Sequence, residues 1–476
     1  MLAAVISFRA RRGLDASAVR AVVVAAVAAL AVGVLVAATT PLLVAAGLAG
    51  LGILGLVWWR PWSGVFLFVA VVALLPFGVI PLPIGGAQLT FVDALLIATF
   101  SAVLGRVVFN GQSLPMGSAA SAVLGFVLVI GAAFVNGAAL APASPELIRR
   151  VAKLIASVLF FIVAGSLLKP SGRVELLVRW LMLAGAIQGA IGSLLTLLSP
   201  LTQLNLLSSL RVIGYPTTDV LRYVPGANDT YTTQLRAIGT SIDPNVYGGT
   251  LMLALALIVA QWAAPRPLLP RPALVLLALP TAAGILLSLS RASWVGLSAG
   301  LLLIGALRYR RILVLAVLVG LALLATRVGQ EIVLRFVSGL SVADRATAFR
   351  FGEYANALLL IQRYPLLGIG FGSSPDIDVT AGVSSVYLLV AEQTGLLGLA
   401  LYVVALVSVW WAGMRVWSTR ATDGRAEGVL AALLAAFSSA LVAGLLDQYF
   451  ANHAFPHAVA LFWLYAAALW RAAVAD

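Results

Sequence analysis

The sequence predicts an all-α polytopic integral membrane protein, with about 12–14 transmembrane helices and a large extracytoplasmic loop containing a surface helix. Three observations predict it. The 476 residues are 62% hydrophobic and 10% charged, with a mean hydropathy of +1.07, far from the roughly one-quarter charge of a soluble chain. The apolar residues fall in runs near the ~20 needed to cross a bilayer. One long polar insert then breaks the pattern: from Arg327 onward the chain carries Arg327, Arg335, Arg345, Arg350 and Arg363 before Tyr364-Pro365-Leu366-Leu367-Gly368-Ile369-Gly370-Phe371-Gly372.

Taken in order, candidate spans lie at roughly 21–39, 42–59, 62–80, 91–109, 119–139, 148–168, 174–197, 243–263, 272–289, 290–307, 311–327, 385–413, 428–446 and 455–473, and 1–476 reads as a single membrane domain. The first run follows Arg9, Arg11, Arg12 and Arg20 and is longer than the apolar core of a cleavable signal, so it is expected to stay as a span. Lys and Arg in the short loops orient the chain with both termini cytoplasmic. Arg60, Arg106, Lys169 with Arg173, Arg266 with Arg271, Arg308 with Arg310 and Arg311, Arg415 and Arg471 then fall inside, and the short outer loops near Pro41, 81–90 and 447–456 hold no Lys or Arg. Arg149, Arg150 and Lys153 are the exception, at the outer edge of the sixth span. Two long connections, 198–242 and 328–384, are expected outside; loops of that length are exempt from the charge rule.

Several function classes drop out. A formal net charge of +13 sets topology here rather than binding nucleic acid. The absence of cysteine removes thiol chemistry, disulfides and Cys metal sites, and two histidines, His453 and His457, are too few for a His-rich metal cluster. No cofactor is expected.

The chemistry-bearing candidates sit where loop meets span. Arg236 lies in Arg236-Ala237-Ile238-Gly239-Thr240-Ser241-Ile242-Asp243-Pro244-Asn245, just before the eighth span, and Arg291 lies in Ser290-Arg291 between two adjoining spans. An arginine near membrane depth is costly and marks a substrate pathway by default, with snorkelling as the bland account of Arg291 and lipid contact an equal account of Arg149, Arg150 and Lys153. Asp344 can cap a helix from Arg345 to about Arg363, whose apolar positions suit a membrane surface. The glycines Gly368, Gly370 and Gly372 permit tight turns and are weak evidence for phosphate binding. Asp376 and Asp378 have the spacing of a metal pair but more often are solvated. Glu392 lies within a span, and Asp93 is either functional or a cap for its helix. Asp447, His453 and His457 cluster in or beside the last outer loop.

Four motifs in this order resemble the O-antigen ligase and O-antigen polymerase family of bacterial membrane glycosyltransferases. They are Arg236-x-x-Gly239 with Pro244-Asn245, Ser290-Arg291, a large outer loop with Arg345 leading to Pro365-Leu366-Leu367-Gly368-Ile369-Gly370, and Tyr387 with Glu392-x-x-Gly395-x-x-Gly398, covering about 236–400. The resemblance implies a multi-pass protein of the bacterial cytoplasmic (inner) membrane with an extracytoplasmic active site. It implies a donor linked to undecaprenyl diphosphate, transfer with inversion to a hydroxyl of a glycan or glycolipid acceptor, and no metal. Arg236 and Arg291, with Arg345 or Arg350 third, are then expected to bind the diphosphate, because guanidinium forks match phosphate oxygens. The sequence departs from the family at one point: Ser384, followed by Ser385, stands eleven residues before Gly395, where the family carries its proposed histidine base. His453, His457, Asp447 and Glu392 are the candidate substitutes. Competing readings are a transporter or flippase of lipid-linked glycans, against which no second copy of the two long loops is visible, and a SEDS-type peptidoglycan glycosyltransferase.

Overall fold

The computed structural model describes residues 41–80, 89–169, 171–217, 220–225, 231–326, 329–330, 333, 337, 345–376, 378–419 and 424–474. The expected first span at 21–39, Arg327, Arg335, the Asp344 cap and the side chain of Arg345 lie outside the described residues.

The fold is all-α and polytopic, as the composition predicts: among the described residues, eight helices are long and apolar enough to cross a membrane, and three apolar helices are shorter. Helix α1 (Pro41–Trp59) belongs to a separate compact unit ending at Trp59, and is apolar throughout. In the main unit, α2 (Trp62–Leu74) stops earlier than the 62–80 run suggests. Pro76 is the reason, since the residue before a proline is pushed out of the helical region, and Leu75 sits at φ −144°, ψ 56°. Helix α3 (Phe91–Asn110) opens on a capping box in which Thr90 and Asp93 bond each other's backbone N–H, so Asp93 does cap its helix. Helices α4 (Ser118–Leu140), α5 (Pro145–Leu167) and α6 (Ser171–Thr196) follow.

The described residues of the segment expected as the first long outer loop form short elements. Ser199 caps α7 (Pro200–Ser209), Pro200 occupies the first helical position where its missing N–H costs nothing, and a 3₁₀ turn (Leu210–Ile213) continues it. A short antiparallel hairpin of β1 (Tyr223–Pro225) and β2 (Tyr231–Leu235) comes next. Leu207, Tyr215, Val220, Ile238 and Ile242 form a small core of their own that holds these pieces together.

The remaining helices are α8 (Pro244–Ala263), α9 (Arg271–Ser288), α10 (Arg291–Leu307), α11 (Arg310–Leu324), the surface helix α12 (Arg345–Arg363), α13 (Val386–Thr419), α14 (Arg425–Ala443) and α15 (Pro456–Val474). Helices α8, α14 and α15 are buried on nearly all sides and form the centre; α8 packs on α9 and α14, α10 on α14, α15 on α5, and α13 on α4. Their sequences allow this closeness. Gly296 and Gly300 of α10 meet Ser439 and Ala435 of α14, where a Cβ would strike backbone or side-chain oxygen.

Candidate functional site

Arg236 is fixed from three directions. Its backbone N–H continues the hairpin by donating to the Arg222 carbonyl at 2.8 Å. Its Nε donates to the Ser288 carbonyl at 2.9 Å, and its Nη2 donates to Asn245 Oδ1 at 2.7 Å. Asp243 caps α8 by accepting from the N–H groups of Asn245 and Val246, and Pro244 pre-sets the first turn. The Arg-x-x-Gly…Pro-Asn motif is thus a device that starts a helix and uses its second residue to hold an arginine.

Arg291 opens α10 directly after a tight elbow, Ser288-Leu289-Ser290, that bends the apolar run between α9 and α10. Leu289 (φ 53°) and Ile242 (φ 62°) are the non-glycine residues with left-handed backbone among those described, and they flank Ser288 and Asp243 respectively. Such conformations cost of order 1–3 kcal/mol each and concentrate at working sites. Ser288, Ser290 and Ser293 are buried against Gly248, and the ring of Tyr449 lies on Gly249. A side chain at either glycine would expel them.

Asp447 follows α14 in the turn that precedes α15, and faces this cluster. Its Oδ1 accepts from the Gln448 N–H at 2.8 Å, while Oδ2 is buried without a hydrogen bond and lies 3.9 Å from Arg350 Nη2. Burial raises its carboxyl to about 6, with the nearby Asp243 adding to the rise, against the pull of Arg350 and Arg236. The Tyr449 hydroxyl beside it is also buried, and burial drives its ionisation well above the ordinary range.

The described part of the segment expected as the second long outer loop is fastened to the start of α13 at two places. At the first, α13 breaks at Gly395 (φ 69°, ψ −176°), which frees the carbonyls of Glu392 and Gln393 from helical bonding. They accept instead from Ile369 N (2.9 Å) and Gly370 N (3.1 Å), and Leu396 N donates to the Pro365 carbonyl at 2.7 Å. Gly368 (φ 64°) and Gly370 (φ 79°) carry the turns, and a Cβ on Gly368, Gly370 or Gly395 would collide with backbone. The glycine series is therefore a backbone strap rather than a phosphate cradle. Glu392 is buried in this strap, with Oε1 accepting from Gly382 N at 2.8 Å and Oε2 without a partner.

At the second place, α12 lies against residues 384–385 and 444–447. Glu353 Oε2 accepts the Ser384 N–H at 3.0 Å, and the Tyr354 hydroxyl donates to the carbonyls of Ser384 (3.4 Å) and Leu445 (3.5 Å). Ser385 donates to the Gly444 carbonyl at 3.4 Å, and Val386 N donates to the same carbonyl at 2.8 Å. Ser384 is thus beside the Arg350–Asp447 pair, within the candidate site. Glu353 and Tyr354 escape a reading of the sequence by motif. Their signal is the spacing of Arg350, Glu353 and Tyr354 at i, i+3 and i+4, one face of a helix.

The other candidates separate from this cluster. His457 is enclosed at the start of α15, its ring 4.8 Å from Phe77 and 6.3 Å from Phe455. His453 lies in the turn, edge-on to Phe371 at 6.2 Å with Nδ1 unpartnered, and burial together with the charge of Arg150 holds its imidazole below the ordinary range. Asp376 pairs with Arg363 at 2.8 Å, with Asp378 at 4.0 Å from the same nitrogen, so this acid pair closes its own loop. Lys153 pairs with Asp93 at 2.7 Å, and Arg149 and Arg150 pair with Glu146. The cationic exception of the topology is thereby matched by acids. Among the described residues no group of three or more His, Cys, Asp or Glu could hold a metal ion.

Residues 273–403 match the family model described as O-antigen ligase. No curated protein matches the chain. The matched stretch takes in the α9–α10 elbow with Arg291, helix α12, Ser384 and the strap at Gly395, and leaves Arg236 and Asp447 outside it. Over residues 273–403, therefore, this polytopic membrane protein is similar to the O-antigen ligase family.

Proposed function

We propose that the protein transfers a glycan from an undecaprenyl-diphosphate-linked donor to a hydroxyl of a glycan or glycolipid acceptor, at the outer face of a bacterial cytoplasmic membrane. The observation that carries this reading is the convergence of Arg236, Arg350 and the Arg291 elbow on one end of the bundle around a buried carboxylate, Asp447.

The chemistry follows from that arrangement. The acceptor oxygen attacks the anomeric carbon, the bond from that carbon to the phosphate oxygen breaks, and the electron pair leaves on the diphosphate. Negative charge grows on the leaving group, and fixed guanidinium groups in a partly dry site stabilise it by several kcal/mol. Asn245 and the Ser288 carbonyl hold Arg236 in place beforehand, so little reorganisation is needed. Arg345, at the first turn of α12, is kept as a further diphosphate ligand. Asp447 takes the acceptor's proton in place of the family histidine: with a pKa of about 6 it is ionised at neutral pH yet basic enough to accept a proton. Asp447 is preferred to His453, His457 and Glu392, because His457 is enclosed by aromatic rings and Glu392 lies in the strap. A single displacement of this kind inverts the anomeric centre, and no step calls for a metal.

The test uses the full-length protein in lipid nanodiscs with a polyprenyl-diphosphate-linked oligosaccharide and a glycan acceptor. Arg236→Ala and Arg291→Ala are each expected to lower product formation by about 10²-fold or more. Retained transfer in both variants would overturn the assignment. The glycan that accumulates on the lipid carrier without the protein separates the two outcomes of such chemistry, single repeat units for a polymerase and long chains for a ligase.

A further inference from the structure

We infer that Glu353 is the positioning residue that seats the N-terminal half of α12 over the site and thereby presents Arg350 to the donor; the inference rests on the lipid-diphosphate reading above. The two halves of α12 are held by different forces. In the C-terminal half, Ala357, Leu360 and Ile361 are buried, and Leu360 packs with Ile369 and Val379. In the N-terminal half the large apolar side chains Phe349 and Phe351 are exposed, so burial does little to hold it.

Three polar side chains on one face reach the bundle from that half, and their geometries rank them. The Arg350–Asp447 approach of 3.9 Å is too long for a hydrogen bond, so it attracts the guanidinium without fixing its position as a directional bond would. The Tyr354 bonds, at 3.4 and 3.5 Å, are long. The Glu353–Ser384 bond is 3.0 Å, is assisted by the carboxylate charge, and ends on a backbone that Val386 N and Ser385 already fix to Gly444. Glu353 is therefore the tether, and Arg350, one turn before it on the same face, is what the tether places.

The experiment compares Glu353→Ala and Glu353→Gln in full-length protein in nanodiscs, by hydrogen–deuterium exchange over 345–354 and by steady-state kinetics with the lipid-diphosphate donor. Glu353→Ala is expected to speed exchange across this half and to raise donor KM about tenfold, with kcat changed less than about threefold. Glu353→Gln should restore both, because its amide oxygen still accepts the Ser384 N–H. In an Arg350→Ala background, Glu353→Ala should add no further rise in KM, since the two act as a unit. Unchanged exchange in Glu353→Ala overturns the inference, and so does a fall in kcat of more than about tenfold shared by the alanine and glutamine variants, which would put the carboxylate itself in the chemistry. The exchange measurement needs no substrate, so a protein that fails to use the donor defeats the functional reading while the seat of α12 is still decided.

Discussion

The segment from α12 to residue 385 meets α13 and its neighbours at two joints of opposite construction. The strap of 365–370 against 392–396 is made of backbone: carbonyls freed by the Gly395 break accept from Ile369 and Gly370, and the glycines are required because no Cβ fits. The junction of 350–354 with 384–385 and 444–447 is made of side chains, Arg350, Glu353, Tyr354 and Asp447. The difference teaches where the family-like pattern is at work. Pro-Leu-Leu-Gly-Ile-Gly and Glu-x-x-Gly-x-x-Gly describe a scaffold, whereas the charged side chains to which the proposed function assigns proton and phosphate chemistry sit at the joint with no glycine signature.

The largest effect is expected at the side-chain joint. Asp447→Asn is expected to lower kcat by about 10²–10⁴-fold, the range for a lost general base, with near-normal thermal unfolding. A variant that turns over at more than about a tenth of the wild-type rate would remove Asp447 from the proton step. The strap should respond in the opposite way. Gly368→Ala or Gly395→Ala imposes a left-handed backbone on an L-residue, about 1–2 kcal/mol before any clash is counted, so a lowered Tm in detergent is expected in both. An unchanged Tm would show that the strap is slack.

A pH series sharpens the contrast further. With Asp447 pushed to about 6, the carboxylate form disappears as pH falls through that value, and kcat/KM should drop about tenfold per unit below it and level off above about 7. Its effect on stability has the opposite sign. The folded value lies above the ordinary 3.8, so the folded state binds the proton more tightly; the stabilising contribution is greatest below pH 3.8 and declines as pH rises towards 6. A rate profile with no limb between about pH 5 and 7 would contradict the role of this residue. The smallest effect is expected away from both joints. Lys153→Met leaves Asp93 with its Thr90 cap and without its cation, costing about 1–3 kcal/mol in unfolding experiments with transfer activity kept. A large loss of activity there would extend the site to the start of α5.

Much of this was legible without a structure. Asp243-Pro244-Asn245 announces a cap, a first-turn proline and a polar second residue; Thr90 with Asp93 announces a capping box; and Ser199-Pro200 carries the same kind of signal inside a segment whose length alone suggests a loop. The hairpin at 223–235 is less legible, since its short strands gain their order from Arg236 N on Arg222 and from the small core under Tyr215. The pairing of Glu353 with Ser384 is not legible at all, because the two are 31 residues apart in the chain and neither spacing nor hydropathy relates them.

Most apolar helices, several of their caps, and the positions at which charge interrupts apolar runs are local properties of the chain, because they follow from side chains within a turn or two of one another and from the cost of charge in lipid. Tertiary structure alone decided that Arg236, the Ser288–Arg291 elbow, Arg350 and Asp447 share one end of the bundle, that Lys153 neutralises Asp93, and that His457 is enclosed against Phe77. The physical reason is that such neighbours are brought together by helix packing, through glycine contacts and buried surfaces that join distant parts of the chain, and no local pattern encodes which ends will meet.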